Sequence, residues 1–304
     1  MVQKKKTTAR TFTGSYVALV TPFKGGKVDF AAFQKLVEWH IASGTHGLVP
    51  CGTTGETPTL TESEHKSLIV ACIEATAGRV PVLAGAGSNA TEKAVELGRF
   101  AEKSGADGIL VVTPYYNKPT QEGMYRHYKA INDAQGLPVI LYNVPGRTGV
   151  EISVETVIRL AALKRIVGIK DASVDLSRPL QIRHALGDDF IQLSGEDATV
   201  AAYLAQGGHG CISVTANVAP KLCAELHTAW QKKDWKKFEK ARDQLLPLHK
   251  TLFAETSPAP AKYCLSRMGK IGGDLRLPMI PVGKATEKLL DNAMAAAGIK
   301  PKKN

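Results

Sequence analysis

A lysine that ends an apolar run, Lys170 in Ile166-Val167-Gly168-Ile169-Lys170-Asp171, has the most chemistry to offer in this sequence. Turned outward, it would snorkel to solvent or pair with Asp171. Turned inward, away from water, it would favour the neutral amine, and neutral amines attack ketones. Two further segments carry tyrosines, Thr113-Pro114-Tyr115-Tyr116-Asn117 and Tyr142-Asn143-Val144-Pro145-Gly146-Arg147-Thr148-Gly149. A tyrosine at a strand end often only caps the core with its hydroxyl in solvent. Three tyrosines and Arg147 on one rim, however, would offer proton transfer and an anion clamp. In Cys51-Gly52-Thr53-Thr54-Gly55-Glu56, glycines flank two threonines. That pattern suits a plain solvent-facing turn, or a tight turn whose N–H and hydroxyl groups cradle a small carboxylate.

Rival chemistries lack their parts. The threonine turn has neither the spacing nor the lysine of a nucleotide P-loop. Gly85-Ala86-Gly87-Ser88-Asn89-Ala90 has the glycine spacing of a dinucleotide fingerprint, but the acid about twenty residues on, Asp107, precedes its strand and lies at the wrong end for a ribose. His40, His46, His65, His127, His184, His209, His227 and His249 fall mostly on helices or at strand starts, poorly placed to share one ion. No G-x-S-x-G elbow is present for a hydrolase. Cys51, Cys72, Cys211, Cys223 and Cys264 are odd in number and scattered, which points to buried reduced thiols.

The elements that must position these groups follow from periodicity. Short apolar runs at 16–20, 47–51, 80–84, 108–112, 138–142, 166–169, 190–193 and 210–214 have the length of buried strands. Helical spacing fills 29–43, 61–76, 91–104, 121–135, 153–163, 177–186, 197–206 and 219–231, so each strand is followed by one helix. Eight such units predict a (β/α)8 TIM barrel rather than an open doubly wound sheet. In such a barrel the loops after the strands converge on one face, where the groups above could meet. Beyond 232 the pattern predicts three helices, near 233–255, 258–270 and 284–297, separated by Pro258, Pro260, Pro278 and Pro281. The organisation expected is a basic, flexible N-terminus over 1–13, a catalytic barrel over 14–232 and a C-terminal helical extension over 233–304, serving packing or assembly.

Composition agrees with a folded chain. At 304 residues, 44% hydrophobic and 22% charged, the sequence can bury a large core. Seven of its net +11 charges, on Lys4, Lys5, Lys6, Arg10, Lys300, Lys302 and Lys303, lie in the end segments. Lys232, Lys233, Lys236, Lys237 and Lys240 alternate with Trp235 and Phe238 as on a solvated amphipathic helix, and no groove-reading motif accompanies them, so nucleic acid is not an expected partner. No apolar run reaches the length of a bilayer span, nor do the first dozen residues hold an apolar signal core. A cytoplasmic location away from the membrane is expected.

Gly52-Thr53-Thr54-Gly55-Glu56, Tyr115-Tyr116, the Tyr142 to Gly149 segment and Gly168-Ile169-Lys170, with Ser213-Val214-Thr215-Ala216-Asn217 and Leu275-Arg276-Leu277-Pro278-Met279, occur in an order that resembles the dihydrodipicolinate synthase family, over about 14–299. The resemblance implies a class I aldolase-type condensation of pyruvate with L-aspartate 4-semialdehyde, the committed step of diaminopimelate and lysine biosynthesis, without metal or organic cofactor. It implies that Lys170 forms the Schiff base and Tyr142 is the general acid/base. Thr53 and Tyr116 would complete a proton relay, the latter tyrosine crossing from a neighbouring subunit of a dimer of tight dimers. Pyruvate's carboxylate would rest on Thr53 and Thr54, the main chain of Ile212 beside it, and Arg147 would face the aldehyde's carboxylate.

Sister sugar-acid and hydroxy-oxoacid aldolases, such as N-acetylneuraminate lyase, share the lysine and tyrosine. They tend to lack the arginine after Tyr-Asn-x-Pro, so Arg147 favours the short carboxylate substrate. The resemblance further marks Thr57, Pro58, Glu62, His65, Asn89, Lys93 and Tyr115 as a candidate effector site for L-lysine. Sensitive relatives usually carry a glutamate where Lys93 stands and often a histidine where Glu62 stands. Weak or absent inhibition is therefore expected.

Overall fold

The computed structural model describes residues 12–302, so Lys4, Lys5, Lys6, Arg10 and Lys303, and most of the predicted basic N-terminus, lie outside the described residues. Eight parallel strands alternate with helices: β1 (Gly14–Ala18), β2 (Gly47–Val49), β3 (Leu83–Gly85), β4 (Gly108–Val112), β5 (Val139–Asn143), β6 (Ile166–Asp171), β7 (Ile191–Ser194) and β8 (Gly210–Ser213). Their order around the sheet is β2-β1-β8-β7-β6-β5-β4-β3. A parallel bridge between Leu48 and Val82 joins the two ends. The chain thus forms the expected TIM barrel.

Strands covered on both faces are apolar nearly throughout, and the two faces feed separate cores. Tyr16, Val49, Leu83, Leu110, Ile140, Tyr142, Leu193 and Ile212 belong to one buried cluster, joined by Phe12 just ahead of β1. A larger cluster, including Val17, Leu48, Ile109, Leu141 and Ile169, packs the outer strand faces against the helices. The helix starts are specified locally. In the helix Glu62–Thr76, the Thr61 hydroxyl accepts the Glu64 N–H while the Glu64 carboxylate accepts the Thr61 N–H, a reciprocal capping box. The helix expected over 197–206 is shorter, Val200–Ala205, because the Asp197 carboxylate is engaged instead with the N–H groups of Val214 and Thr215.

After β8, helix Pro220–Gln231 completes the alternation, and three helices follow: Trp235–Thr251, Ala259–Arg267 and Lys284–Ala296. In the first of these, Lys236, Lys237 and Lys240 are exposed and Phe238 is buried, as on an amphipathic helix. All five cysteines are buried free thiols. Among the described residues no helix is long and apolar enough to cross a membrane. Nor, among them, does any group of three or more His, Cys, Asp or Glu side chains come together as metal ligands.

Candidate active site

Tyr142 and Lys170 are direct register partners on β5 and β6, which puts their side chains on the same side of neighbouring strands. The register shifts between Val139 and Ile140, at the start of that pairing. Lys170 is 6% exposed, with Nζ 4.2 Å from the centre of the Tyr142 ring. The ring faces the ammonium or amine with its electron-rich surface. Room for the lysine comes from Gly195, where a Cβ would stand 3.0 Å from Lys170 Cε and 2.7 Å from Ala172 Cβ. The lysine therefore points into the protein, and Asp171 is not its counter-ion. Asp171 accepts instead from Arg178 Nε at 2.8 Å, from the Ser173 N–H at 2.8 Å and from Asn143 Nδ2 at 3.3 Å. Arg178 also donates to Ile152 O and Asn143 accepts the Ile152 N–H, so a buried polar network pins the ends of β5 and β6.

Above Tyr142 opens a cavity of about 380 Å³ whose walls include Thr53, Val112, Tyr115, Tyr142 and Arg147. The Thr53–Gly55 segment is a single 3-10 turn ending at Glu56 in left-handed conformation, φ 55°. It is tied down from three sides. Thr21 Oγ1 donates to Gly55 O at 2.7 Å, the Thr57 hydroxyl bonds Cys51 O at 2.6 Å, and β3 presses from beneath at Gly85, where a Cβ would lie 2.0 Å from Cys51 O. Thr54 is buried, while Thr53 faces the cavity. Arg147 is exposed on the short helical turn Pro145–Thr148, at the cavity rim. Burial raises the Glu196 carboxyl above its usual range at the end of β7.

Of the expected catalytic and substrate residues, Tyr142, Thr53 and Arg147 thus line this opening, while Lys170 lies buried against the Tyr142 ring rather than in the cavity wall, and Thr54 and Ile212 are buried. Tyr116 does not join them within one chain: it is 89% exposed, with φ 70°, while its neighbour Tyr115 lines the cavity. The candidate effector residues Thr57, Pro58, Glu62, His65, Lys93 and Tyr115 line a continuation of the same cavity. Asn89 is outside it, its carbonyl accepting from Asn117 Nδ2. Glu62 is engaged by Lys66, which holds its carboxyl below the usual value, and Lys93 adds to that effect.

Sequence reasoning gave no role to Asn143, Arg178, Glu56, Lys262 or Arg276. Glu56 is 3% exposed, yet its carboxylate accepts from Lys262 Nζ at 2.5 Å and from the Arg276 N–H at 3.2 Å. The only signal in the sequence was that Glu56, Asn143 and Arg276 sit in three of the recognised motifs.

The known proteins this chain is similar to agree with one another. The pattern of the dihydrodipicolinate synthetase family matches residues 11–297. A 4-hydroxy-tetrahydrodipicolinate synthase of Bradyrhizobium diazoefficiens is 59% identical over 288 residues, covering 95% of this chain and 97% of the relative. The dihydrodipicolinate synthase of Aquifex aeolicus superposes with a TM-score of 0.94 at 42% identity, covering 96% of this chain and 100% of that one. The chloride-inhibited enzyme of Acinetobacter baumannii, solved with pyruvate, gives 0.92 at 47% identity over 94% and 99% of the two chains. With motifs, barrel and relatives in accord, the chain belongs to the dihydrodipicolinate synthetase family.

Proposed function

We propose that the chain condenses pyruvate with L-aspartate 4-semialdehyde, entering diaminopimelate and lysine biosynthesis. The observation that carries this reading is the buried lysine in register with, and packed against, a tyrosine that lines a cavity shared with a threonine turn and an arginine. Lys170 Nζ adds to the keto carbon of pyruvate, and the former carbonyl oxygen leaves as water, giving an imine. The protonated imine is the electron sink: loss of a methyl proton yields the enamine, whose carbon attacks the aldehyde. Tyr142 is placed to carry protons in these steps. Thr53 and Thr54 suit the pyruvate carboxylate, with Ile212 beside it, and Arg147 suits the carboxylate of the aldehyde. A sugar-acid aldolase would have less use for that exposed cation.

The position of Tyr116 supports a catalyst of at least two chains, since an exposed tyrosine beside the cavity can reach a neighbour's proton relay and not its own. For the effector pocket, an incoming ammonium would meet Lys93, and Glu62 is already taken by Lys66. Titration calorimetry with L-lysine is expected to show weak binding or none; tight binding would reverse that reading. For the reaction, borohydride with pyruvate is expected to add a covalent label at Lys170, absent in Lys170→Ala. Arg147→Ala should impair use of the aldehyde far more than labelling. Label on another side chain, or equal loss of both activities in the arginine variant, would overturn the assignment.

A further inference from the structure

The carboxylate-cradling turn is held from behind by charges more than two hundred residues away in sequence. Glu56 closes the turn: its N–H donates to Thr53 O at 3.1 Å, and its left-handed backbone sends the chain onward into Thr57. Its side chain points away from the cavity to Lys262, on the second helix of the C-terminal extension, whose side chain is wholly buried. The other carboxylate oxygen accepts the N–H of Arg276, whose guanidinium in turn binds Glu64, in the helix Glu62–Thr76, with both terminal nitrogens, at 2.7 and 2.6 Å. Both cations lie over the Phe23 ring, with Lys262 Nζ 4.2 Å and the Arg276 guanidinium carbon 4.4 Å from its centre.

A buried ion pair is a poor device for stability alone, because stripping water from two charges costs about what their attraction returns, and apolar groups of equal volume would serve as well. What a pair with fixed hydrogen bonds supplies is geometry. Here the geometry it fixes is that of the last residue of the Thr53–Gly55 turn.

We propose that Lys262 and Glu56 are positioning residues for pyruvate recognition, setting the Thr53–Thr54 turn at the height where its N–H and hydroxyl groups meet the substrate carboxylate. The inference rests on the reaction proposed above and makes the C-terminal extension part of the substrate-binding apparatus. It separates from a purely structural role because, of the two substrate carboxylates, only that of pyruvate is assigned to this turn.

The experiment compares steady-state kinetics of the full-length enzyme, Glu56→Gln, and the charge-free double variant Glu56→Gln with Lys262→Met. The KM for pyruvate is expected to rise by roughly ten- to a hundredfold, as for a displacement of the binding groups by about 1 Å. The KM for aspartate semialdehyde should stay within about twofold, and borohydride labelling at saturating pyruvate should reach the wild-type extent. Glu56→Gln keeps the shape of the side chain and an acceptor oxygen, so it preserves the test if the double variant does not fold. A pyruvate KM within about twofold of wild type in a folded variant, or parallel loss in both KM values and kcat, would overturn the proposal. Failure of the unmodified enzyme to trap pyruvate would instead overturn the reaction on which it rests.

Discussion

His46, Asp107 and His209 at one end of the barrel, and Thr53, Tyr142 and Arg147 at the other, put similar polar groups to different use. At the end where the strands begin, the side chains are consumed by the backbone. His46 Nδ1 accepts the Ser15 N–H, Asp107 accepts the Val82 N–H and His209 Nδ1 accepts the Gln192 N–H. At the end where the strands finish, the polar groups that serve the backbone, Asp171 and Glu56, stand one step behind, and those in front face the cavity. A parallel barrel separates holding from reacting by direction along the strand. A polar side chain therefore has different meaning at its two ends.

The sharpest test of that division is at the reactive end. Tyr142→Phe removes only a hydroxyl from a buried ring, so the fold should persist while kcat falls by about 10²–10⁴-fold, the range for loss of a general acid/base. Stopped-flow and circular dichroism measured together would check it. A variant that loses its fold along with its rate would blur the distinction between the two ends.

A smaller effect is expected at the other end, and it is one of pH. Burial lowers the pKa of both His46 and His209 from the usual 6.5. Each uses Nδ1 as an acceptor, which protonation would abolish. The unfolded chain takes up these protons near pH 6.5, whereas the folded chain resists until lower pH. Their contribution is therefore complete above about pH 6.5 and is lost progressively as pH falls below it. Melting temperature should drop between pH 7.5 and 5 by ~a few degrees, and His209→Asn, which keeps an acceptor but cannot titrate, should flatten the slope. An unchanged slope would mean that these histidines do not carry the backbone as described.

Much of this architecture is legible in the sequence. Parallel strands covered on both faces are written as unbroken apolar runs, and all eight were found in place. The errors were at their ends. Leu19 and Val20 continue the apolar run beyond β1, but Val20 gives its N–H to Asn217 Oδ1, so burial outlasts strand pairing. Lys170 and Asp171 belong to β6 although they end its apolar run, because a functional side chain can occupy a ladder position without being hydrophobic. Lys170, Tyr142, Thr53 and Arg147 were legible as strand-end chemistry. Their support was not: Arg178 and Lys262 pair across space with residues chosen by the fold, and no local period announces a lysine that will be buried against a glutamate 206 positions earlier.

The barrel wall also has a seam. Between β2 and β3 the continuous ladder gives way to the Leu48–Val82 bridge, with the Leu48 N–H reaching Pro81 O and the Gly85 N–H reaching Pro50 O. Both accepting residues are prolines, which have no hydrogen of their own to return. The threonine turn is mounted at the top of this joint, so its grip on a ligand depends on the least laced part of the cylinder. Warming that parts the staves there would blunt substrate capture while the remaining wall still stands, and an occupied cradle would act as the hoop that keeps them together.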